Sequence, residues 1–249
     1  MLFERERDDL LETLADMRAE RILDTTGGAL SVRCDENLVL VTPTGAPPRR
    51  WRVRPEDLVV INTKGDIVER GRYAPIAAYT MHLALYETLP TCNAVLHSHT
   101  SAILAFASAG VTMPSNTNAT DKFGEVPTVF CHDLPIKREY LRAPWPLHPN
   151  SHAHHRPDVA AVNDVISAAV DRRFAPRDAE LHDHGLAFLM YRHGVVTMGK
   201  DLTQAFDCLA KVHTNAEITL LTRPETVRVA APAPAESQLL EAYFLDPVA

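Results

Sequence analysis

The sequence predicts an α/β protein: one three-layer α/β/α domain with a mixed, largely antiparallel central sheet. Three observations carry that expectation. Short apolar runs of strand length, at 30–33, 38–42, 57–62 and 94–96, are separated by turn residues. Two of the links, around Asp35-Glu36-Asn37 and Lys64-Gly65-Asp66, are too short for a crossover, so their strands pair antiparallel. Stretches with apolar residues at helical spacing lie between and after these runs, and helices of that kind cover a sheet.

Taken in order, residues 5–23 carry Leu10, Leu11, Leu14, Met17 and Ile22 on a charged background, the pattern of a surface helix packed on a core. Residues 25–28 break it, and the two hairpins follow. Residues 75–89 read as a helix with Met81, Leu85 and Leu89 four apart, ended by Pro90. The strand at 94–96 leads into an apolar helix from 101 to 108 closed by Gly110, while 111–118 fits no element. Residues 126–130 read as a strand whose Pro127 confines it to an edge or a strand start. The segment 137–156, with Pro144, Pro146, Pro149, His148, His152, His154 and His155, reads as a solvated loop in preference to a second metal site. Residues 158–173 return to helix. Residues 187–200 read as a second apolar strand that carries His193 just before Gly194 and then resumes as another apolar run. Asp201, with Gln204 as the partner of a capping box, opens a helix from 203 to 221. The expected division is a domain over 1–222, then a Pro/Ala spacer and a short helix over 223–249.

Composition narrows the classes of function. The 249 residues include 46% hydrophobic and 23% charged, and the net charge of −7 argues against a nucleic-acid partner. Cys34, Cys92, Cys131 and Cys208 are far apart and form no C-x-x-C, so neither a disulfide framework nor a thiolate zinc site is indicated, and a reducing cytoplasm fits. The charged amino terminus is unlike a signal peptide, and no apolar run reaches membrane-spanning length.

The chemistry concentrates at His97-Ser98-His99. Residues two apart on a strand share a face, so two imidazoles project side by side from the end of the 94–96 run. Neutral imidazole nitrogens suit zinc, iron, manganese or nickel. His193 interrupts two buried runs and needs a partner, because an unpaired buried polar group costs a few kcal/mol. The second H-x-H, His182-Asp183-His184, has no flanking apolar run and reads as polar loop.

In order along the chain, Thr26-Gly27-Gly28-Ala29-Leu30-Ser31-Val32-Arg33, Val41-Thr42-Pro43-Thr44-Gly45, His82-Leu83-Ala84-Leu85-Tyr86, the H-x-H and the His193-Gly194 segment together resemble the class II aldolase/adducin family, over roughly residues 5–222. The resemblance implies the layered fold, commonly as a homotetramer, and His97, His99 and His193 as ligands of one divalent ion, zinc first and iron or manganese as alternatives. It implies a substrate pocket at Gly28, Ser31, Thr44 and Gly45. A small-molecule substrate and a metal-dependent lyase of aldolase or decarboxylase type, with Lewis-acid stabilisation of an enediolate, follow from it.

The sequence also departs from that family's pattern. The position of the expected acid/base Glu is Ala78, the serine pair before it is replaced by Ile76 and Ala77, and the glycine-loop Asn is Ala29. Tyr79, Asp121 and Glu125 are the candidates for the missing proton-transfer group. The segment 77–82 resembles a branch lacking the Glu that includes iron enzymes of oxidative decarboxylation, so a non-haem Fe(II) oxygenase is the alternative function. A non-catalytic adducin-like binding module is the second alternative. The Arg49, Arg50, Arg52 and Arg54 group reads as a solvated basic face.

Overall fold

The computed structural model of the chain describes residues 1–23, 28–43, 52–76, 78–129 and 173–227. Its centre is an eight-stranded sheet, built from β1 (Ala29–Arg33), β2 (Leu38–Val41), β3 (Val59–Asn62), β4 (Ile67–Glu69), β5 (Ala94–Ser98), β6 (Thr128–Val129), β7 (Leu186–Met190) and β8 (Gly194–Gly199). The strand order is β4-β3-β2-β1-β5-β8-β7-β6, antiparallel throughout except for the β6–β7 pair. The mixed, mainly antiparallel sheet expected from the short turns is therefore present.

Alternate residues along the strands feed two cores. Leu30, Val32, Ala94, Leu96, Leu189 and Val195 pack with residues of α1 (Glu4–Ala19), α3 (Ser101–Ala109) and α4 (Leu202–Thr222). Val39, Val41, Val95, Phe188, Val196 and Met198 pack on the opposite face, with residues of α2 (Tyr79–Thr88) and with Phe174 and Leu181. Burial on both faces is why these strands read as continuous apolar runs instead of alternating ones.

Several element ends differ from the sequence expectation, each for a local reason. Helix α1 stops at Ala19 because Arg21 takes a left-handed φ of 58° and Ile22 N–H reaches back to Met17 O at 2.8 Å. Helix α2 starts at Tyr79, not at residue 75, because Ile76 N–H is committed to Thr42 O at 3.0 Å and Pro75 bridges Pro43. Thus the chain before α2 is tied to the end of β2. Asp201 caps α4 through Gln204 N–H at 2.7 Å, but Gln204 Oε1 accepts from Lys200 N–H at 2.9 Å, so only half of the capping box forms. Strand β6 is an edge strand opened by Pro127, whose carbonyl accepts from Leu189 N–H at 2.8 Å.

The principal correction concerns His193. It lies in the Tyr191-Arg192-His193 turn between β7 and β8, not in a strand, with Arg192 at a φ of 56° and His193 N–H bonded to Met190 O at 3.0 Å. His182 ends a 3-10 helix, Ala175–His182, where a loop was expected. The expected 137–156 loop lies outside the described residues, as do the part of the expected 223–249 spacer and helix after residue 227 and all but Arg173 of the expected 158–173 helix. No described helix is long and apolar enough to cross a membrane.

Candidate metal centre

Strand β5 delivers His97 and, one residue beyond its end, His99. Antiparallel pairing of β5 with β8 sets His97 opposite Val196 and Ser98 opposite Val195, so the turn before β8 arrives beside His99. The three rings converge. Ring centroids lie 4.3 Å apart for His97–His99, 4.9 Å for His97–His193 and 5.0 Å for His99–His193. One nitrogen from each lies within 4.8 Å of the others, the one such His/Cys/Asp/Glu cluster among the described residues.

Backbone packing brings the rings this close. A Cβ on Gly194 would stand 2.3 Å from Ser98 O and 2.8 Å from His99 Cδ2, so only a residue without a side chain fits between the strands there. Likewise a Cβ on Gly28 would meet Leu23 Cδ1 at 2.7 Å and His97 O at 3.1 Å. Ser98, on the opposite face of β5, donates its hydroxyl to Ile22 O and pins the strand to the end of α1. Thr100 stands at the N-cap position of α3 without a side-chain cap bond, and its hydroxyl instead meets His213 Nδ1 of α4 at 3.0 Å.

The donor set fits a divalent metal. His97 lies 2.8 Å by Nδ1 from Val195 O, and since a carbonyl only accepts, the proton sits on Nδ1 and Nε2 carries the lone pair. A ring nitrogen held by a backbone carbonyl, with the other left to ligate, is the common outer-shell arrangement of a metal-bound histidine. Burial first, then the neighbouring His99 and His193, hold His97 well below the usual imidazole range, so it stays in the neutral form a metal requires.

The other expected site residues fall in different settings. Gly28 lies against the His97 carbonyl, whereas Thr44 and Gly45 are outside the described residues. Ser31 is fully buried, its hydroxyl 2.7 Å from His82 Nδ1 and 2.6 Å from Tyr86 OH. Tyr79, 1% exposed, packs in the α2-side core. Asp121 and Glu125 are exposed carboxylates, and Asp121 accepts from Ser115 Oγ at 2.9 Å. Their segment is held to α4 by Asn215, whose Oδ1 accepts from Asn116 N–H at 2.8 Å and Thr120 Oγ1 at 3.1 Å. His184, near Glu180 and its own Gly185 carbonyl, stands apart from the cluster. Sequence reasoning did not single out the Val195 carbonyl, which leaves no side-chain signal, or the role of Gly194, which only the strand pairing exposes.

Residues 8–220 match the family model described as Class II Aldolase and Adducin N-terminal domain. The chain belongs to this family. Among curated relatives, this class II aldolase/adducin chain is 34% identical over 105 residues to L-ribulose-5-phosphate 4-epimerase UlaF of Salmonella paratyphi B, covering 41% of the chain and 45% of that relative. The match therefore spans less than half the length of that protein. It is 29% identical over 206 residues to 3-oxo-tetronate 4-phosphate decarboxylase of Haemophilus influenzae, with 82% of each covered. Among solved structures, it shares its fold with an L-fuculose 1-phosphate aldolase at a TM-score of 0.65 and 21% identity, covering 98% of both chains. The corresponding aldolase of Thermus thermophilus aligns at a TM-score of 0.61 and 18% identity, covering 89% of this chain and 97% of the other.

Proposed function

We propose that this family member is a metal-dependent lyase of the aldolase or decarboxylase type, acting on a small hydroxy- or keto-carbonyl substrate. His97, His99 and His193 would hold one divalent ion, zinc before iron or manganese. The observation that carries the reading is the convergence of these three imidazoles, from a strand end and a hairpin turn, with the His97 tautomer set by Val195 O at 2.8 Å. An ion held by three protein ligands keeps a position open and supplies a Lewis acid beside a substrate carbonyl. The names of the relatives, an epimerase and a decarboxylase of phosphorylated sugars or sugar acids, support a phosphorylated substrate of that size.

The chain's own residues divide the remaining work. Gly28 keeps backbone close to the centre, and Thr44 and Gly45, outside the described residues, are assigned to substrate binding on the family resemblance alone. Ser31 contributes through His82, to which its hydroxyl is committed. Asp121 and Glu125 are carried as proton-transfer groups because they are exposed carboxylates, with Tyr79 as the buried alternative. A homotetramer in a reducing cytoplasm completes the reading. The oxygenase alternative draws its support from Ala78, where a methyl group can accept no proton, since three imidazoles with open positions can bind Fe(II) and O₂ without a protein base.

Elemental analysis of protein purified without added metal tests both. About one equivalent of zinc or manganese with anaerobic turnover supports the lyase, and iron with oxygen consumption supports the oxygenase. His97→Ala and His193→Ala each lose the metal with the fold intact, whereas His182→Ala, at an exposed position, keeps it. Equal loss in all three variants overturns the ligand set.

A further inference from the structure

One buried side-chain polar atom among the described residues has no hydrogen-bond partner, and it is His82 Nε2. His82 is 0% exposed on α2, and its other nitrogen belongs to a short chain of groups, Tyr86 OH, Ser31 Oγ and His82 Nδ1, linked at 2.6 and 2.7 Å. Proton counting orients that chain. If Nδ1 carried the proton, it would donate to Ser31 and Ser31 would donate to Tyr86, leaving among the described residues both the buried Tyr86 hydroxyl proton without an acceptor and the Nε2 lone pair without a donor. In the opposite sense Tyr86 donates to Ser31, Ser31 donates to Nδ1, and the one group left over is Nε2–H. The second arrangement strands one group instead of two, so His82 presents a buried N–H donor. An unmet buried donor destabilises the fold, and a bound oxygen atom relieves that cost.

The donor stands on the side of the sheet that carries His97. Ala29 and Ser31 point to one face of β1, Ala29 pairs with His97 and Ser31 with Val95, so the Ser31 anchor of His82 sits one strand repeat, about 7 Å, from the level of His97. His97 is held low by burial first, then by His99 and His193, with His82 the smallest contributor. Burial alone pushes His82 down to about 3, which keeps it neutral and able to offer one proton without carrying charge.

We propose that His82 Nε2–H donates to an oxygen acceptor lodged beside α2, on the sheet face that carries His97, either an ordered water or a carbonyl or carboxylate oxygen of the substrate. The site selects an oxygen with a free lone pair and rejects an ammonium or amide N–H. His82 is thereby a positioning residue that fixes the oxygen, with Ser31 and Tyr86 fixing His82. This inference rests on the metal-centre reading only for what lies on the far side of the oxygen.

Histidine-selective ¹⁵N NMR of the full chain tests it, first without metal and then with zinc ion and glycolate as probes. The expected result is a neutral Nε2–H tautomer for His82, its signals assigned by their loss in His82→Phe. Should that variant not fold, Ser31→Ala assigns them instead, because removing the hydroxyl that donates to Nδ1 releases the tautomer preference. A cross-peak from Hε2 to water that persists with glycolate assigns the oxygen to ordered water, and a displaced Hε2 resonance on adding glycolate assigns it to the ligand. A dominant Nδ1–H tautomer overturns the proposal, as does an Hε2 signal with neither a water cross-peak nor a response to glycolate. Failure of the metal reading is distinguishable, since zinc would then leave the His97, His99 and His193 signals unmoved whatever His82 does.

Discussion

Replacing Gly194 with alanine tests how the fold builds the three-histidine centre. The added Cβ would lie 2.3 Å from the Ser98 carbonyl oxygen and 2.8 Å from His99 Cδ2, both inside the 3.0 Å that real Cβ contacts keep. Ser98 O belongs to the backbone of β5, which is paired to β8 along five registered positions, so it cannot step aside without loosening the ladder. Overpacking of this kind costs about 1–3 kcal/mol. At about 2–4 °C per kcal/mol for a domain of this size, a mid-range cost lowers the melting temperature by about 4–8 °C. The second contact moves the His99 ring, and disturbing the support of a metal ligand costs about 10–100-fold in metal affinity. Thermal unfolding followed by circular dichroism measures the first effect, and competitive zinc titration measures the second. Gly199→Ala is the control: its Cβ would meet Ala205 N at 2.5 Å and Asp201 O at 2.8 Å at the other end of the same strand. That variant loses comparable stability and keeps wild-type zinc affinity. Equal weakening of zinc binding in both variants, or wild-type behaviour of Gly194→Ala, would refute the reasoning.

Three further outcomes are expected. Arg7 is fully buried and donates to Leu2 O at 2.7 Å, Pro55 O at 2.5 Å, Leu58 O at 3.2 Å and Glu69 Oε1 at 2.9 Å, so Arg7→Met strands these acceptors and lowers stability by about 3–5 kcal/mol in urea unfolding; a loss under about 1 kcal/mol would show that the carbonyls find water. His82 is depressed to about 3 in the folded chain from 6.5, so its contribution is complete above pH 6.5 and is lost as pH falls toward 3, because the unfolded chain binds the proton first. Between pH 7 and pH 5 the wild type should lose about 2 kcal/mol more than His82→Phe, read from urea midpoints at each pH, and parallel profiles would contradict this. Asn215→Ala removes the acceptor of Asn116 N–H and Thr120 Oγ1 and the donor to Pro114 O, costing about 1–3 kcal/mol and speeding amide exchange at Asn116 above all other sites; unchanged exchange there would mean the segment is held by other contacts.

The periodicity of the chain carried much of the architecture. Leu10, Leu14 and Met17 point into one core as their spacing requires, and the links at 35–37 and 64–66 join antiparallel strands as their length requires. Pro127 announced an edge strand because a residue without an N–H cannot sit inside a ladder. Element ends were less legible. The start of α2 depends on Thr42 O claiming the Ile76 amide, and the stop of α1 depends on Arg21 turning left-handed, both outcomes of contacts between distant or neighbouring backbone groups that residue type does not encode.

At the centre the same division holds. The alternation of β5 was enough, from sequence alone, to set His97 and His99 as near neighbours, because a strand fixes side-chain direction every second residue. That His193 joins them from a turn, that Val195 O selects the His97 tautomer, and that Gly194 admits the His99 ring were decided by the register between β5 and β8. Local pattern determines what an element is and which way its side chains point. The meeting of groups about a hundred residues apart depends on how two strands slide past one another, and that is settled only when the whole sheet packs.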